Sequence, residues 1–183
     1  METFDWEKYC QKLNNAFKNK KKLVIQNDNK ECDAAVNLSM LENCSHIFMF
    51  CRRMSVFRDD FYKDNEDLKS RKEKVSNSLA NFFRKENSRL IVIVSEKPQS
   101  NDFILKDVQL KDLVRKRKIM LYLIPKQIAT DTPHFTIADD VAVRVENNDS
   151  EKTASCIFYD SNLTANCINS FELFRSYSSL INY

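Results

Sequence analysis

The sequence predicts an α/β protein with a mixed, largely parallel sheet, helices on both faces, a closing β-hairpin and a C-terminal helix. Three observations support this fold class. Short, nearly continuous apolar runs at residues 47–51, 90–94 and 119–124 are typical of strands that are covered on both faces. Segments with apolar residues at helical spacing separate these runs, as in α/β sheets. Near the C-terminus, alternating apolar and polar residues indicate a half-buried hairpin.

Length and composition predict one domain over residues 1–183. The chain is 43% hydrophobic, which is sufficient for one sizeable core, and no linker or low-complexity segment divides it. No apolar run approaches the roughly 18–20 residues of a membrane span, and the acidic, amphipathic start is unlike a signal peptide. We therefore expect a cytoplasmic protein that does not contact membranes. The six cysteines form no Cys-x-x-Cys pair, so we expect neither disulfides nor a metal site.

The absence of glycine excludes several kinds of site. A phosphate-binding loop, a dinucleotide fingerprint and a nucleophile elbow all need glycine where the backbone approaches a ligand or takes a positive φ. We therefore expect no cofactor. Asn and Asp are expected at the left-handed turn positions instead.

The first half of the chain alternates helices and strands. Apolar residues at helical spacing, Trp6 among them as a packing anchor, predict the helices, and apolar runs predict the strands. The segment at 52–65 mixes charged and aromatic residues, so we expect it to cross a sheet edge as a short helix or loop. The predicted elements are a helix at 3–19, a strand at 23–25, a helix after the turn at 27–29, a strand at 47–51, a helix from Asp64 or Asn65 to about residue 86 and a strand at 90–94.

The second half continues this alternation and then changes to a hairpin. The stretch 134–146 has the period of a half-buried strand, and the turn residues at 147–150 separate it from a return arm. A stripe of four residues predicts that the last helix lies across the sheet: Leu163, Cys167, Phe171 and Phe174. The predicted elements are a helix at 103–116, a strand at 119–124, the two hairpin arms and a helix from about residue 161 to 178.

Several segments follow the order seen in one protein family. Residues 44–50 (Cys-Ser-His-Ile-Phe-Met-Phe), a long helix and the run at 90–94 form a first half. In the second half, His134 precedes an arm that has Val-Arg-Val-Glu at 143–146, and the return strand ends with Phe-Tyr-Asp-Ser at 158–161. The last helix contributes three loosely spaced residues of the pattern: Asn166, Phe171 and Ser176.

This pattern resembles a phospholipase D-like domain over about residues 22–178, with an N-terminal amphipathic helix at 1–20 outside it. The family's chemistry needs His-x-Lys followed by Asp, Gly-Ser and Asn: the histidine attacks phosphorus, and Lys and Asn hold the charged oxygens. Here Thr136 occupies the lysine position, the aspartate position falls at Val141 just after Asp139 and Asp140, and Gly-Ser is absent. The resemblance therefore implies a domain that lacks the complete catalytic motif.

The candidate catalytic residues are His134, Thr136 and Asp140. Loss of one donor that stabilises the transition state can cost a factor of about a hundred or more in rate, so an incomplete motif makes a poor phosphoryl-transfer site. The alternative is that His134 has a structural role beside Pro133 at the start of the strand.

Charged residues supply the candidate binding positions. Arg144 and Glu146 lie two apart in a strand and share one face, where they could pair, contact a ligand or face solvent. The net charge of +3 is mild, but two basic clusters could bind nucleic acid weakly, or only solvate helix ends. Their members are Lys20, Lys21 and Lys22 in one cluster, and Arg115 and Arg117 in the other.

Two functions remain open. The first is a non-catalytic phospholipase D-like module that binds a protein partner or ligand, as part of a bacterial multi-gene defence or regulatory system. The second is a degenerate phosphodiesterase or nuclease that uses His134 and is completed by a second subunit. Large aromatic residues predict a homodimer, unless they complete the core of the monomer. These residues are Phe57, Phe61, Tyr62, Phe171, Phe174, Tyr177 and Tyr183.

Overall fold

The computed structural model describes residues 4–63, 66–99, 102–130, 132–148 and 153–183. The predicted cap at Asp64 or Asn65 lies outside these residues, as does part of the turn predicted at 147–150. The helices are α1 (Trp6–Asn19), α2 (Lys30–Asn43), α3 (Glu66–Phe82), α4 (Phe103–Lys106), α5 (Val108–Arg115), α6 (Lys126–Ala129) and α7 (Ser161–Ser176). The strands are β1 (Leu23–Asn27), β2 (His46–Cys51), β3 (Arg89–Val94), β4 (Ile119–Leu123), β5 (Phe135–Ala138), β6 (Ala142–Asn148), β7 (Thr153–Phe158) and β8 (Ser179–Leu180).

The described strands form one mixed sheet in the order β1-β7-β6-β5-β2-β3-β4-β8. The pairs β2–β3 and β3–β4 are parallel, and the other pairs are antiparallel. The predicted mixed α/β sheet is therefore confirmed. More of the strand pairs are antiparallel than the predicted, largely parallel sheet would have. The reason is that β5, β6 and β7 form a meander and that β1 and β8 pair antiparallel with their neighbours.

Helices cover both faces of the sheet, as predicted. One core lies between the sheet and the helices α1, α2, α3 and α5, and it includes the buried Trp6. The second core lies under α7, where Leu163, Cys167, Phe171 and Phe174 contribute the predicted stripe. Four of the aromatic residues proposed for a dimer interface are instead buried within the monomer: Phe57, Phe61, Tyr62 and Phe171.

The structure divides two predicted elements. The helix predicted at 103–116 is interrupted at Asp107, whose side chain accepts hydrogen bonds from the backbone N–H groups of Gln109 and Leu110 and so caps α5. The stretch 134–146 contains two strands, β5 and β6, because the chain reverses at Asp139, where φ is 48°. Among the described residues, positive φ angles occur at Asn87 and Asp139 as expected, and also at Lys20, Arg117 and Tyr159.

The strand directions define two edges of the sheet. The strands β2, β3 and β4 end at the same edge, which we call the carboxyl edge. Because β5 runs antiparallel to β2, it begins at the carboxyl edge, and β6 ends there. In the described part of the chain, no helix has both the length and the apolar character needed to span a bilayer.

Candidate functional site

A cleft of about 840 Å³ opens at the carboxyl edge. Its walls are the first turn of α2, the segment at 51–61 that follows β2, and the ends of β5 and β6 that meet at this edge. His134, Thr136, Arg144 and Glu146 all line it. The alternation of side chains along β5 and β6 places these four residues on the face of the sheet that α2 covers.

His134 forms hydrogen bonds through both ring nitrogens. Its Nδ1 lies 2.6 Å from Oε2 of Glu146, and its Nε2 accepts the backbone N–H of Arg52 at 3.0 Å. Because Nε2 must carry a lone pair to accept this bond, a neutral ring has its proton on Nδ1 and donates it to Glu146. The ring is also in edge contact with Phe50. The histidine therefore connects β6 to the segment that leaves β2.

Arg144 is a buried charge on the floor strand β6 of the cleft. It lies opposite Thr136 in the β5–β6 register, and its side chain is only 9% exposed. Its Nη2 is 2.5 Å and its Nε 2.8 Å from Oδ1 of Asp33, and its Nη1 is 3.3 Å from Oε1 of Glu146. Burial alone would lower the pKa of Arg144, but the two carboxylates raise it, so the guanidinium stays charged.

The two carboxylates differ in their environments. Burial raises the pKa of Asp33, against the effect of Arg144 and of a hydrogen bond from the Asn27 side chain. Burial also acts to raise the pKa of Glu146, but the bonds from His134 and Arg144 outweigh it and lower that pKa. A series of contacts runs from Asp33 through Arg144 and Glu146 to His134, and it joins α2, β6 and the start of β5 within the cleft.

The other two candidate catalytic residues, Thr136 and Asp140, do not lie together in the structure. Thr136 is buried beside His134, on the same face of β5. Asp140 is exposed in the turn between β5 and β6, at the opposite edge of the sheet from His134. His46 also lies at that opposite edge, where the Asp139 carboxylate accepts the backbone N–H groups of Ser45 and His46.

The two basic clusters lie away from the cleft. Both precede strands that end at or run toward the carboxyl edge, so both occupy the opposite edge of the sheet. Six strand spacings separate β1 from β4, which places the clusters roughly 29 Å apart. Lys22 forms an ion pair with Asp160 at 2.6 Å. The structure therefore does not bring the clusters together on one compact surface.

Two arginines that line the cleft, Arg52 and Arg53, pair with a carboxylate outside it. Arg52 Nε lies 2.8 Å from Oε1 of Glu96, Arg53 Nε donates to Oε2 of the same carboxylate, and Lys126 Nζ is 3.7 Å away from it. The bonds from Arg53 and Arg52 lower the pKa of Glu96 to about 2. We call Arg52, Arg53, Glu96 and Lys126 the rim cluster.

Several contacts of the site had not been predicted. Asp33 and Arg52 are distant in sequence from the residues they bind, and no local pattern marks either of them. The described residues contain no group of three or more His, Cys, Asp or Glu side chains that could hold a metal ion.

Comparison with known proteins identifies the fold. No protein-family model and no curated protein matches the sequence. The structure is similar to Nuc of Salmonella typhimurium, a phospholipase D family member, with a TM-score of 0.58 and 10% identity over 89% of this chain and 99% of Nuc. It is also similar to NucT of Helicobacter pylori, with a TM-score of 0.50 and 10% identity over 86% of this chain and 97% of NucT. The chain has a phospholipase D-like fold, as the sequence predicted.

A third similar structure is TrmBL2, an archaeal chromatin protein described as having a novel mode of DNA binding. The TM-score is 0.55 and the identity 12%, over 85% of this chain. The chain corresponds to only 53% of TrmBL2, so the likeness concerns part of that protein.

Proposed function

We propose that the protein is a non-catalytic phospholipase D-like module whose cleft binds a segment of a partner protein or a ligand. The observation that carries this proposal is the hydrogen bonding of His134, whose two ring nitrogens are both occupied by protein groups. A nucleophilic histidine needs a free lone pair on the nitrogen that attacks. The lone pair on Nε2 instead accepts the backbone N–H of Arg52.

The surroundings of His134 support the same proposal. Thr136 stands where the family resemblance calls for lysine, and Arg144, which lies opposite Thr136 in the β5–β6 register, is neutralised by Asp33 and Glu146. A phosphoryl-transfer site needs positive groups that face the substrate and stabilise the charge of the transition state. The proposed module therefore binds without hydrolysis.

A hydrolysis assay tests the absence of catalysis. We expect no hydrolysis of bis(p-nitrophenyl) phosphate, DNA or RNA, with or without EDTA, above the rate of an H134N variant. The matched control is H46N, which removes the other histidine at the opposite edge. Hydrolysis by the wild type that H134N abolishes and H46N retains would contradict the proposal.

The second candidate is a phosphodiesterase or nuclease with a degenerate site. It is favoured by the Glu146–His134 hydrogen bond of 2.6 Å, because a carboxylate on Nδ1 fixes the orientation and the tautomer of an imidazole. This function requires that the Arg52 N–H bond be released and that a second subunit complete the site. The same assay decides between the two candidates.

Binding of nucleic acid is expected to be weak. The structural likeness to TrmBL2, a chromatin protein that binds DNA, favours nucleic-acid binding. The distance of roughly 29 Å between the two basic clusters argues against a single phosphate-binding surface. In a gel-shift assay at about 50 mM salt, we expect no shift of DNA or RNA at micromolar protein. A gel shift that disappears as the salt concentration rises would show that the protein does bind nucleic acid. The same shift should then be absent in a variant in which four cluster residues are changed to Glu: Lys20, Lys21, Arg115 and Arg117.

We propose a homodimer as the assembled state. The support is narrower than the sequence suggested, because only part of the aromatic set is exposed: Tyr177 and Tyr183, together with Leu173 one turn before Tyr177 on α7. Light scattering over a range of concentrations is expected to give twice the chain mass of 21.6 kDa. L173E/Y177E is expected to shift the mass to the monomer, and a constant monomer mass up to roughly 100 μM would exclude the dimer at ordinary affinities.

Three further parts of the proposal follow from the sequence. Residues 1–183 act as one domain, with the helix at 1–20 packed on a core at 22–178; the pairing of β1 with β7 and of β4 with β8 supports this. The protein acts in the cytoplasm, and it belongs to a bacterial multi-gene defence or regulatory system. The identity of the neighbouring genes tests the last point directly.

A further inference from the structure

We infer that the rim cluster binds an acidic segment of the partner protein, a conclusion that rests on the binding function proposed above. Arg52 and Arg53 line the cleft and are about half exposed, so a segment bound to them lies next to the cleft. The argument depends on the charge, the rigidity and the surroundings of these four side chains.

The rim cluster contains more positively than negatively charged side chains. In the described part of the chain, the carboxylate of Glu96 contacts all three cations, and the charges of these four side chains sum to +2. The side chains of Arg52, Arg53 and Lys126 are 57%, 49% and 71% exposed, whereas Glu96 is 18% exposed. The carboxylate thus lies beneath the cations, and the excess positive charge faces solvent.

The cluster is held in place before any ligand binds. The backbone N–H of Arg52 is fixed by His134, and the Nε groups of Arg52 and Arg53 are fixed by the two oxygens of Glu96. In the described part of the chain, the terminal Nη groups of Arg53 have no hydrogen-bond partner. A guanidinium presented in this way binds a carboxylate through paired N–H groups, at a low entropic cost because the arginine stems are already ordered.

The charges behind the rim favour a protein segment over nucleic acid. Apart from the rim arginines, the cleft is lined by four carboxylates and three cations, which sum to one negative charge: Asp28, Asp33, Asp60 and Glu146, with Lys30, Arg58 and Arg144. A polyphosphate chain that entered from the rim would bring further negative charges against these carboxylates. A protein segment can place carboxylates on the rim and neutral or basic residues in the cleft.

The test uses a fluorescein-labelled peptide of five glutamates followed by five serines and a labelled single-stranded 20-mer DNA, with binding measured by fluorescence anisotropy on the full chain. We expect the peptide to bind at about 50 mM salt and R52E/R53E to weaken it by about tenfold or more, because like charges then face each other. The substitution retains the backbone N–H that His134 accepts. The matched control K20E/K21E makes the same charge change at the opposite edge and is expected to alter binding less than about threefold.

A third variant tests the inference in the opposite direction. E96Q removes the one negative charge of the cluster, so the net charge of its side chains rises and the peptide is expected to bind more tightly. Circular dichroism and the thermal midpoint show which variants are folded. No peptide binding at millimolar protein, equal weakening in R52E/R53E and K20E/K21E, weaker binding in folded E96Q, or tighter binding of DNA than of peptide would each overturn the inference. None of these outcomes bears on the absence of hydrolysis, which the H134N assay decides.

Discussion

An R144M variant is expected to lose about 3 kcal/mol of the free energy of unfolding at pH 7, because removal of one partner leaves buried charge uncompensated. Arg144 is the only guanidinium that the described contacts place against Asp33, and it also contacts Glu146. Methionine retains most of the volume of the arginine stem, so the loss reports the missing charge and its hydrogen bonds. Urea denaturation, with the midpoint and slope fitted separately, gives the value.

The pH dependence of this loss identifies its cause. Without Arg144, burial is expected to raise the pKa values of Asp33 and Glu146 in the folded variant above those in the unfolded chain. Such carboxyls favour the fold when protonated, and this contribution is lost as the pH rises through the folded pKa. The difference between wild type and R144M should therefore be largest at about pH 7 and smaller at about pH 4.

A matched control separates burial from charge removal. Arg175 pairs with Glu172 at 2.9 Å on α7, and its side chain is 40% exposed. R175M is expected to change the free energy of unfolding by less than about 0.5 kcal/mol, as is usual for exposed pairs. If R144M and R175M had the same small effect, the buried network would not stabilise the fold.

The main elements could be predicted because each depends on local sequence. The runs at 47–51 and 90–94 become the neighbouring strands β2 and β3, whose side chains are covered by helices on both faces. The two-residue strand β8 could not be predicted in this way. It exists because the chain after α7 returns along β4, and a tertiary contact of this kind leaves no period in a segment so short.

Only Arg144 and Glu146 were predicted to lie together in the candidate site, because they are two positions apart on one strand. His134 and Glu146 are 12 positions apart, and their contact depends on the chain reversal at Asp139, which the sequence did not indicate within the stretch 134–146. The partners that determine their chemistry lie much further away: Asp33 is 111 positions from Arg144, and Arg52 is 82 positions from His134. These contacts follow from the order of the strands and from the position of α2, which local patterning does not specify.

The two aspartates of the β5–β6 turn illustrate the same difference. Both stand beside the candidate motif in the sequence, but Asp140 is exposed, whereas the Asp139 carboxylate accepts the backbone N–H groups of Ser45 at 3.2 Å and of His46 at 2.7 Å. Those two donors precede and begin β2, so Asp139 connects the turn to the central strand of the sheet. Its role is thus structural, and it lies at the edge opposite the cleft.

A D139A variant is consequently expected to lose about 2–3 kcal/mol of the free energy of unfolding. This loss has two causes: two hydrogen bonds to a partly exposed carboxylate, each worth about 0.5–1 kcal/mol, and a cost of about 1 kcal/mol for alanine at a φ of 48°. D139N keeps one acceptor oxygen and tolerates this φ, so it should lose about 1 kcal/mol. D140A, the matched control in the same turn, should change stability by less than about 0.5 kcal/mol. Urea denaturation ranks the three variants, and a D139A loss no larger than that of D140A would mean that the turn does not depend on this carboxylate.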